Sequence, residues 1–350
     1  MNYFINFLLP FALVLILTPA LTRIALAKGW TAKVNERTVH KGLIPRVGGI
    51  IIYFAFMSGV LLFLDFSSQS MAYMLASSIM FFVGLYDDIF DMPALVKFLM
   101  QVIAAIIVIY FGGVIINTIN LPFGLRIDNT FILGMISFVW IVGVTNAINL
   151  LDGLDGLATG ISSIVLITAI VIAFSFTPQK NILMMLILLG SLLGFLKYNF
   201  YPASIFLGDC GSQFIGFVMG FLTLVSFKSS AFITLVIPFV ILFIPLMDSV
   251  VAIFRRKLSG KSIVDADRSH LHHVLMIDLN LGHRKTVLVM YVVTAIFGFT
   301  AWLYHFDSSV GTIVLVFLIL LYELFVEYTG MINKKYRPIL NLVEKIIKKK

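Results

Sequence analysis

The most informative property of this sequence is how little charge it carries. Only 12% of the 350 residues are Asp, Glu, Lys or Arg, whereas 60% are hydrophobic and 33 are Phe. A soluble domain carries about 25% charged residues, so the composition excludes a soluble globular fold. The single cysteine also excludes a disulfide framework. What remains is an integral membrane protein.

Long apolar runs indicate the same class. Mean hydropathy is +1.05, and runs of about 20 apolar residues mark helices that cross a bilayer. The first run has no basic residue before it and continues to about Ala25, which predicts a span rather than a cleaved signal. The sequence predicts an all-α polytopic membrane protein with about eleven spans, at 3–25, 47–64, 70–86, 94–112, 130–146, 158–175, 182–198, 213–227, 231–254, 286–304 and 310–328.

Two segments should differ from plain spanning helices. Residues 113–129 alternate in polarity and contain proline and glycine, which predicts a small external β-hairpin. Pro238 and Pro245 should kink or break the ninth span, because proline removes a helix hydrogen bond and clashes with the preceding turn. No internal repeat or soluble domain is evident. We therefore expect one transmembrane catalytic domain over residues 1–330 and a basic amphipathic cytoplasmic tail over residues 331–350.

The basic residues lie mostly on one side of these spans. If the loop after the first span is placed inside, 22 of the 25 Lys and Arg residues lie in inside segments, and only Arg126, Lys180 and Lys228 lie outside. The positive-inside rule then predicts the N-terminus outside and the C-terminus in the cytoplasm. This distribution explains the net charge of +8 without a nucleic-acid partner.

Acids and histidines are sorted in the same way, and they predict an active site on the cytoplasmic face. The outer loops keep only Asp65, Asp128, Asp307 and His305. Several separate inner segments supply Asp87, Asp88, Asp91, Asp152, Asp155, Asp209, Asp265, Asp267, His270, His272 and His273.

The stretch from Asn146 to Gly160 reads NAINLLDGLDGLATG and is the richest of these segments. Asn146, Asn149, Asp152 and Asp155 recur every third residue, a spacing that would place them on one face of a helix. The two DG pairs argue against a continuous helix, since glycine weakens helix interiors. A polar loop that approaches a ligand fits better than a plain turn, which needs only one such pair.

A second cluster contains Asp87, Asp88 and Asp91, with Lys97 six residues further on. Neighbouring carboxylates raise the pKa of one another or bind Mg²⁺, so a general base and a metal site are both open. Capping of the next helix is the structural alternative, but a cap needs only one acid. Lys97 either reaches towards the interface or pairs with a lipid phosphate.

Two further clusters combine acids with glycine or with histidine. Asp209 lies between two glycines at the start of the eighth span, where a helix N-terminus and a carboxylate suit phosphate and Mg²⁺. The segment DADRSHLHH at 265–273 holds three histidines beside Arg268, which favours an anion over zinc because no second His or Cys pair accompanies them. Arg46 and the glycines at 48–49 are weaker signals.

Together these motifs resemble the bacterial polyprenyl-phosphate N-acetylhexosamine-1-phosphate transferases. The resemblance covers all eleven predicted spans and depends on DDxxD, NxxNLxDGLDGLA, FxGDxGS and DRxHxHH in combination. The closest branch is the one that makes undecaprenyl-pyrophosphoryl-GlcNAc, and the translocase that uses phospho-MurNAc-pentapeptide is more distant. Cys210 stands where the family usually has threonine, which leaves Asp209 intact.

The resemblance implies transfer of GlcNAc 1-phosphate from UDP-GlcNAc to undecaprenyl phosphate, with release of UMP. It implies Mg²⁺, with Mn²⁺ as a substitute, held by Asp209 with Asn149 nearby. Asp87 is implied as the base or as a group that orients the lipid phosphate, supported by Asp88, while Lys97 holds that phosphate. Because that phosphate is mostly ionised near neutral pH, positioning matters more than a base, and a phospho-enzyme at Asp88 stays open.

The other substrate-binding residues are implied to surround the donor. They are Asn146, Asp152 and Asp155 at the nucleotide site, Phe206 stacked on uracil, and Arg268, His270, His272 and His273 at the diphosphate or sugar.

Other classes are weaker matches. Another UDP-N-acetylhexosamine or UDP-MurNAc-pentapeptide would keep the reaction type, although the DRxHxHH form favours GlcNAc. An intramembrane prenyltransferase would lack the DGLDG stretch, and an ion-coupled transporter would place its acids at mid-bilayer in repeated halves. Asp248, within the ninth span, is the one acid so placed, and we expect it to pair with a nearby cation. The assignment implies the bacterial inner membrane and is compatible with a homodimer, which the sequence does not determine.

Overall fold

The chain folds almost wholly into helices. A computed structural model describes residues 3–31, 43–120, 126–174, 176–227, 235–260, 270–333 and 337–347. Within these ranges the α-helices are α1 (Tyr3–Lys28), α2 (Gly49–Phe63), α3 (Ser68–Phe90), α4 (Ala94–Tyr110), α5 (Thr130–Leu151), α6 (Leu157–Ala173), α7 (Gln179–Asn199), α8 (Asp209–Phe227), α9 (Val236–Ile241), α10 (Phe243–Leu258), α11 (Leu271–His273), α12 (Gly282–Phe306), α13 (Ser308–Thr329) and α14 (Pro338–Ile347).

Seven of the described helices are long and apolar enough to cross a bilayer. They are α1, α3, α5, α7, α8, α12 and α13, and α2, α4 and α6 are shorter apolar helices. The chain is therefore a multi-pass membrane protein, and the predicted all-α class is confirmed. The number of eleven spans and their orientation stay predictions.

Helix α8 forms the centre of the bundle. All 19 of its residues are buried, and α5, α3 and α2 pack against it. A helix that is apolar on every side belongs in such a core. Because α8 begins at Asp209, its central position places this carboxylate among the ends of the surrounding helices.

Two glycines allow the backbones of α2 and α3 to approach the first turn of α8. A Cβ atom on Gly49 would lie 2.1 Å from the backbone nitrogen of Gly211, and one on Gly84 would lie 2.4 Å from the carbonyl oxygen of Asp209. Any larger residue would push the helices apart at this point. The approach brings α2 and α3 to the same end of α8.

The predicted ninth span is divided into two helices. α9 ends at Ile241 and α10 begins at Phe243, with Leu242 between them. Pro238 lies inside α9 and Pro245 in the first turn of α10, where the missing backbone donor is tolerated. The predicted break is therefore confirmed.

The predicted β-hairpin is confirmed in its described part. β1 (Ile119–Asn120) pairs antiparallel with β2 (Arg126–Ile127), so that Ile119 lies opposite Ile127. Residues 121–125, which join the strands, lie outside the described residues.

A buried acid holds the start of the C-terminal helix α14. Glu327, which is fully buried, accepts hydrogen bonds from the backbone nitrogens of Ile339 and Leu340 at 2.9 and 2.8 Å. A carboxylate at a helix N-terminus satisfies donors that have no partner within the helix. Nearby, Arg255 donates to the carbonyl oxygen of Met331 at 2.8 Å. The start of the tail is thus attached to the helix bundle.

Candidate active site

The site is built around Asp209, the first residue of α8. Gly208 precedes it with a φ of +75°, and a Cβ atom there would lie 2.3 Å from the carbonyl oxygen of Arg46 and 2.6 Å from Oδ2 of Asp88. Only glycine suits this combination of left-handed backbone and close approach. The turn therefore brings Arg46, Asp88 and Asp209 together.

Asp88 positions the start of α8 from the neighbouring helix α3. Its Oδ1 accepts the backbone N–H of Asp209 and its Oδ2 accepts that of Cys210, both at 2.9 Å. These are free donors of the first helical turn, and a carboxylate in line with the helix dipole stabilises them. The Asp88 side chain has no exposed surface, so both of its oxygens are used to fix Asp209.

Two cations neutralise this group of acids. Arg46 donates to Oδ1 of Asp209 at 2.6 Å and lies 3.5 Å from Asp88. Burial lowers the pKa of Arg46, but the charges of Asp209, Asp88, Asp152 and Asp87 outweigh that effect and raise the pKa above its usual value. Arg46 therefore stays charged, and its half-exposed side chain, at 49%, faces a region that an anion can reach.

Lys97 joins Asp87 to Asp209. Its Nζ donates to Oδ2 of Asp87 and lies 3.3 Å from Oδ2 of Asp209. Asp87 also accepts the backbone N–H of Met92 at 2.7 Å. Asp91 follows α3 in a positive-φ conformation and is exposed, whereas Asp87 is connected to Asp209 through Lys97 and Asp88 through the backbone N–H of Asp209.

The amides of the richest motif lie on a helix, which differs from the predicted loop. α5 continues to Leu151, and the chain leaves the helix only over residues 152–156. The Oδ1 of Asn149 accepts the hydroxyl of Ser212 at 2.6 Å, one turn from Asp209 on α8. Asn146 instead donates to Gln101 on α4 at 2.9 Å. The expected break occurs where the two DG pairs stand, but it starts later than predicted.

The two acids of the loop have different surroundings. Asp155 is buried, its Oδ2 accepts the backbone N–H of Ala203 at 2.9 Å, and its own N–H donates to Nε2 of His283 at 2.9 Å. Burial raises the pKa of Asp152 to about 7, and Arg46 opposes the shift. Asp155 thus holds the loop in place, whereas Asp152 titrates near neutral pH.

The histidine segment packs against the same loop. A Cβ atom on Gly153 would lie 2.5 Å from Nε2 of His272. His272 is 1% exposed, and within the described part of the chain neither of its ring nitrogens has a hydrogen-bond partner. His270 and His273 flank it, with ring centroids 5.8 and 4.3 Å away. Arg268, together with Asp265 and Asp267, lies outside the described residues.

The sequence interpretation underestimated Arg46 and did not include His283. The backbone of residues 45–49 pairs with the Asp209 turn: Phe206 donates to Pro45, and Gly48 donates to Phe206, at 2.8 and 2.9 Å. The sequence feature that could have identified Arg46 as a site residue is its position directly after a proline and close to two glycines. His283 stacks on Tyr201 with ring centroids 4.5 Å apart and gave no signal, since a lone histidine at the start of a span has no pattern.

These acids and cations at one end of a helix bundle define a membrane-embedded enzyme that handles anionic groups. Comparison with known proteins identifies the family: residues 70–227 match the one described as glycosyl transferase family 4. The chain is 36% identical over 352 residues to a Bacillus subtilis protein named "probable undecaprenyl-phosphate N-acetylglucosaminyl 1-phosphate transferase", covering 99% of this chain and 97% of the relative.

Other relatives have similar names. A decaprenyl-phosphate N-acetylglucosaminephosphotransferase of Mycobacterium leprae is 32% identical, with 80% of this chain and 79% of the relative covered. The undecaprenyl-phosphate α-N-acetylglucosaminyl 1-phosphate transferase of Escherichia coli K12 is 30% identical, with 73% and 71% covered. The chain therefore belongs to the family of polyprenyl-phosphate N-acetylglucosaminyl 1-phosphate transferases, as the motifs suggested.

Proposed function

We propose that the protein transfers GlcNAc 1-phosphate from UDP-GlcNAc to undecaprenyl phosphate, releasing UMP and forming undecaprenyl-pyrophosphoryl-GlcNAc. The observation that carries this proposal is the group of Asp87, Asp88 and Asp209 held by Arg46 and Lys97. Two anionic phosphates must meet in the reaction, and fixed cations reduce their repulsion. The reaction would be the first membrane step of a cell-surface polysaccharide or teichoic acid pathway.

The donor set at Asp209 fits Mg²⁺, with Mn²⁺ as a substitute. Among the residues described, no three His, Cys, Asp or Glu side chains form a ready metal cage, and Mg²⁺ is usually bound by one or two carboxylates together with substrate phosphates. The ammonium of Lys97 lies between the carboxylates of Asp87 and Asp209. This contact supports the proposal that a cation fits between the two acids. Asp209 would hold the ion, with Asn149 beside it, and the ion would neutralise charge on the transferring phosphate.

We assign the acceptor phosphate to Lys97. The Lys97 side chain is 23% exposed, and its contacts with Asp87 and Asp209 keep its ammonium at the end of α8. Both oxygens of Asp87 are engaged by Lys97 and by Met92, which supports a role in orienting Lys97 rather than in removing a proton. The acceptor phosphate is largely ionised near neutral pH, so it needs no strong base.

Asp88 supports a direct transfer without a phospho-enzyme. A nucleophile needs a free oxygen that the donor phosphate can approach, and both oxygens of Asp88 accept backbone N–H groups of α8. Its side chain is also wholly buried. We therefore propose that Asp88 fixes Asp209 and that the acceptor phosphate attacks the donor itself.

We place the donor between the loop at 152–156 and the histidine segment. Asp152 and Asp155 shape the nucleotide site, with Phe206 against the uracil. His270, His272 and His273 face the diphosphate or sugar, and the ring nitrogens of His272 have no hydrogen-bond partner among the described residues. Arg268 and Asn146 complete the proposed set.

An apolar cavity suits the prenyl chain. It has a volume of about 530 Å³ and lies between α5 and the broken α9–α10 pair, lined by Phe131, Met135, Trp140, Gly143, Phe239 and Leu246 among others. Gly143 is one helical turn before Asn146, so the cavity approaches the polar site along α5. A lipid chain there would leave its phosphate at the polar end.

For the whole chain we propose eleven spans in the bacterial inner membrane, with the N-terminus outside and the active site facing the cytoplasm. The sorting of Lys and Arg supports this orientation. UDP-sugars made in the cytoplasm would then reach the site without transport.

A radiolabel transfer assay tests the function. Purified protein with Mg²⁺ should move label from UDP-GlcNAc to undecaprenyl phosphate, and UDP-MurNAc-pentapeptide should give none. Decaprenyl phosphate serves as the second acceptor, because a relative is named for it.

Asp209→Asn should abolish transfer in a folded protein. Asp307→Asn is the matched control, since Asp307 also begins a helix, capping α13 through Ser309 and Val310. Near-normal transfer by Asp209→Asn at saturating Mg²⁺ would contradict the proposed metal ligand.

A further inference from the structure

Asp248 is a buried acid within the α9–α10 region. It lies on α10 and is 2% exposed. An ionisable side chain at such depth is costly unless it is paired or hydrogen-bonded. We predicted a nearby cation as its partner, whereas the structure places a residue of the histidine segment, His270, against it.

Asp248 binds two consecutive residues of that segment. Its Oδ2 lies 3.0 Å from Nδ1 of His270, and its Oδ1 accepts the backbone N–H of Leu271 at 2.7 Å. One bond fixes the plane of the His270 ring and the other fixes the start of α11. A carboxylate that receives one ring N–H selects the tautomer and leaves the other nitrogen for a ligand.

His270 is linked to the residues that follow it by a ring contact and by a backbone hydrogen bond. The rings of His270 and His272 are nearly parallel, at 6°, with centroids 5.8 Å apart, and His272 packs on Gly153 of the loop at 152–156. The backbone N–H of Val274 donates to the carbonyl oxygen of His270 at 3.0 Å, so the turn starts from this residue. Displacement of His270 would therefore move the histidines relative to that loop.

We propose that Asp248 is a positioning residue that orients His270 and its segment for the diphosphate of the UDP-sugar donor. This inference rests on the proposed function, because it assumes that the histidines contact that diphosphate. Asp248 itself touches no substrate, since its two oxygens are directed at His270 and Leu271.

The test is a double-mutant cycle with the donor and acceptor titrated separately. His270→Ala and Asp248→Ala should each raise the KM for UDP-GlcNAc, by about 10–100-fold for Asp248→Ala, in line with the loss that follows removal of a group that orients a metal-binding histidine. The KM for undecaprenyl phosphate should not change. The double variant should be no worse than His270→Ala alone, because residues that act as a unit are not additive.

Two further variants separate positioning from folding. Asp248→Asn keeps an acceptor for the Leu271 N–H but turns an NH₂ donor towards Nδ1 of His270, which reverses the tautomer. It should therefore fold like the unmodified protein and still raise the KM for UDP-GlcNAc. Glu327→Ala is the matched control: it also removes a buried acid that accepts two hydrogen bonds, but it should leave the donor KM unchanged.

Two outcomes would overturn the inference in different ways. Multiplicative effects of Asp248→Ala and His270→Ala would show that Asp248 does not act through His270. An unchanged donor KM in His270→Ala would remove the role of His270, while the proposed transferase function would still stand on the turnover of the unmodified protein in the same assay. Absence of that turnover would instead contradict the proposed function.

Discussion

At the scale of single residues, the acids of the site have distinct surroundings that assign them different tasks. Asp88 is fully buried and bonded to backbone N–H groups, so it serves the fold of the turn. Asp209 shares its oxygens between the partly exposed side chains of Arg46 and Lys97, so an ion or a phosphate can compete for these contacts. Asp155 is bonded within the loop. Position in a hydrogen-bond network, rather than residue type, separates structural from reactive carboxylates.

His272 gives a prediction for the dependence of stability on pH. Burial lowers the pKa of His272 from 6.5 to about 3. Between these pH values the unfolded chain binds a proton that the folded chain does not. The free energy of unfolding therefore has its full value above pH 6.5 and decreases as the pH falls towards 3. In His272→Gln, we expect the thermal midpoint to fall less than in the unmodified protein between about pH 7.5 and pH 5. Thermal unfolding in detergent measures this, and equal slopes would contradict a neutral buried His272.

At the scale of elements, the ends of helices carry the chemistry and their middles carry the packing. Asp209 begins α8, and Asn149 lies in the last turn of α5. Bilayer depth favours apolar side chains, whereas the helix termini leave backbone groups that attract charged partners. The same rule explains Glu327, which binds the start of α14.

The C-terminal helix α14 should be accessory to catalysis. The sequence from 331 to 350 is basic and amphipathic, which predicts a helix lying on the inner leaflet. Deletion of residues 334–350 should leave the protein in the membrane and reduce transfer only modestly, because the described site is built from residues 45–49, α3, α4, α5, α8 and the histidine segment. Membrane fractionation and the radiolabel assay measure both effects. Complete inactivation would place the tail in the site.

At the scale of the whole molecule, widely separated segments meet at one end of the bundle. Arg46 and Asp209 are 163 positions apart, and Lys97 and Asp209 are 112 apart. Such a site can assemble only if all contributing helix ends face the same side of the membrane. This convergence fits the one-sided distribution of Lys and Arg in the sequence.

Sidedness can be tested with single cysteines in a Cys210→Ser background. Ser259→Cys, after α10, should react with an impermeant thiol reagent only in inside-out vesicles, whereas Ser308→Cys, at the start of α13, should react only in right-side-out vesicles. Both serines are exposed, so the reagent can reach either one. Labelling of Ser259→Cys from outside would reverse the proposed topology and the cytoplasmic location of the donor.

The sequence by itself determined the class of this protein, the break near Pro238 and Pro245, and the motifs that contain Asp87, Asp209 and the histidines. These features are local: a bilayer requires long apolar helices whose backbone groups are satisfied internally, and proline acts on its own turn. The loop after α5 was predicted less well, because glycine marks a helix end but packing decides where the helix stops.

Only the tertiary structure decided which charges meet. Arg46 lies on Asp209 because residues 45–49 pair with the backbone at 206–207, and Asp248 on α10 binds His270, which is 22 positions further along the chain. His283 joins the site from the start of α12 through one hydrogen bond to Asp155. Each of these contacts links residues far apart in the chain. Their partners are fixed by how helices pack in three dimensions, and spacing along the sequence does not encode that geometry.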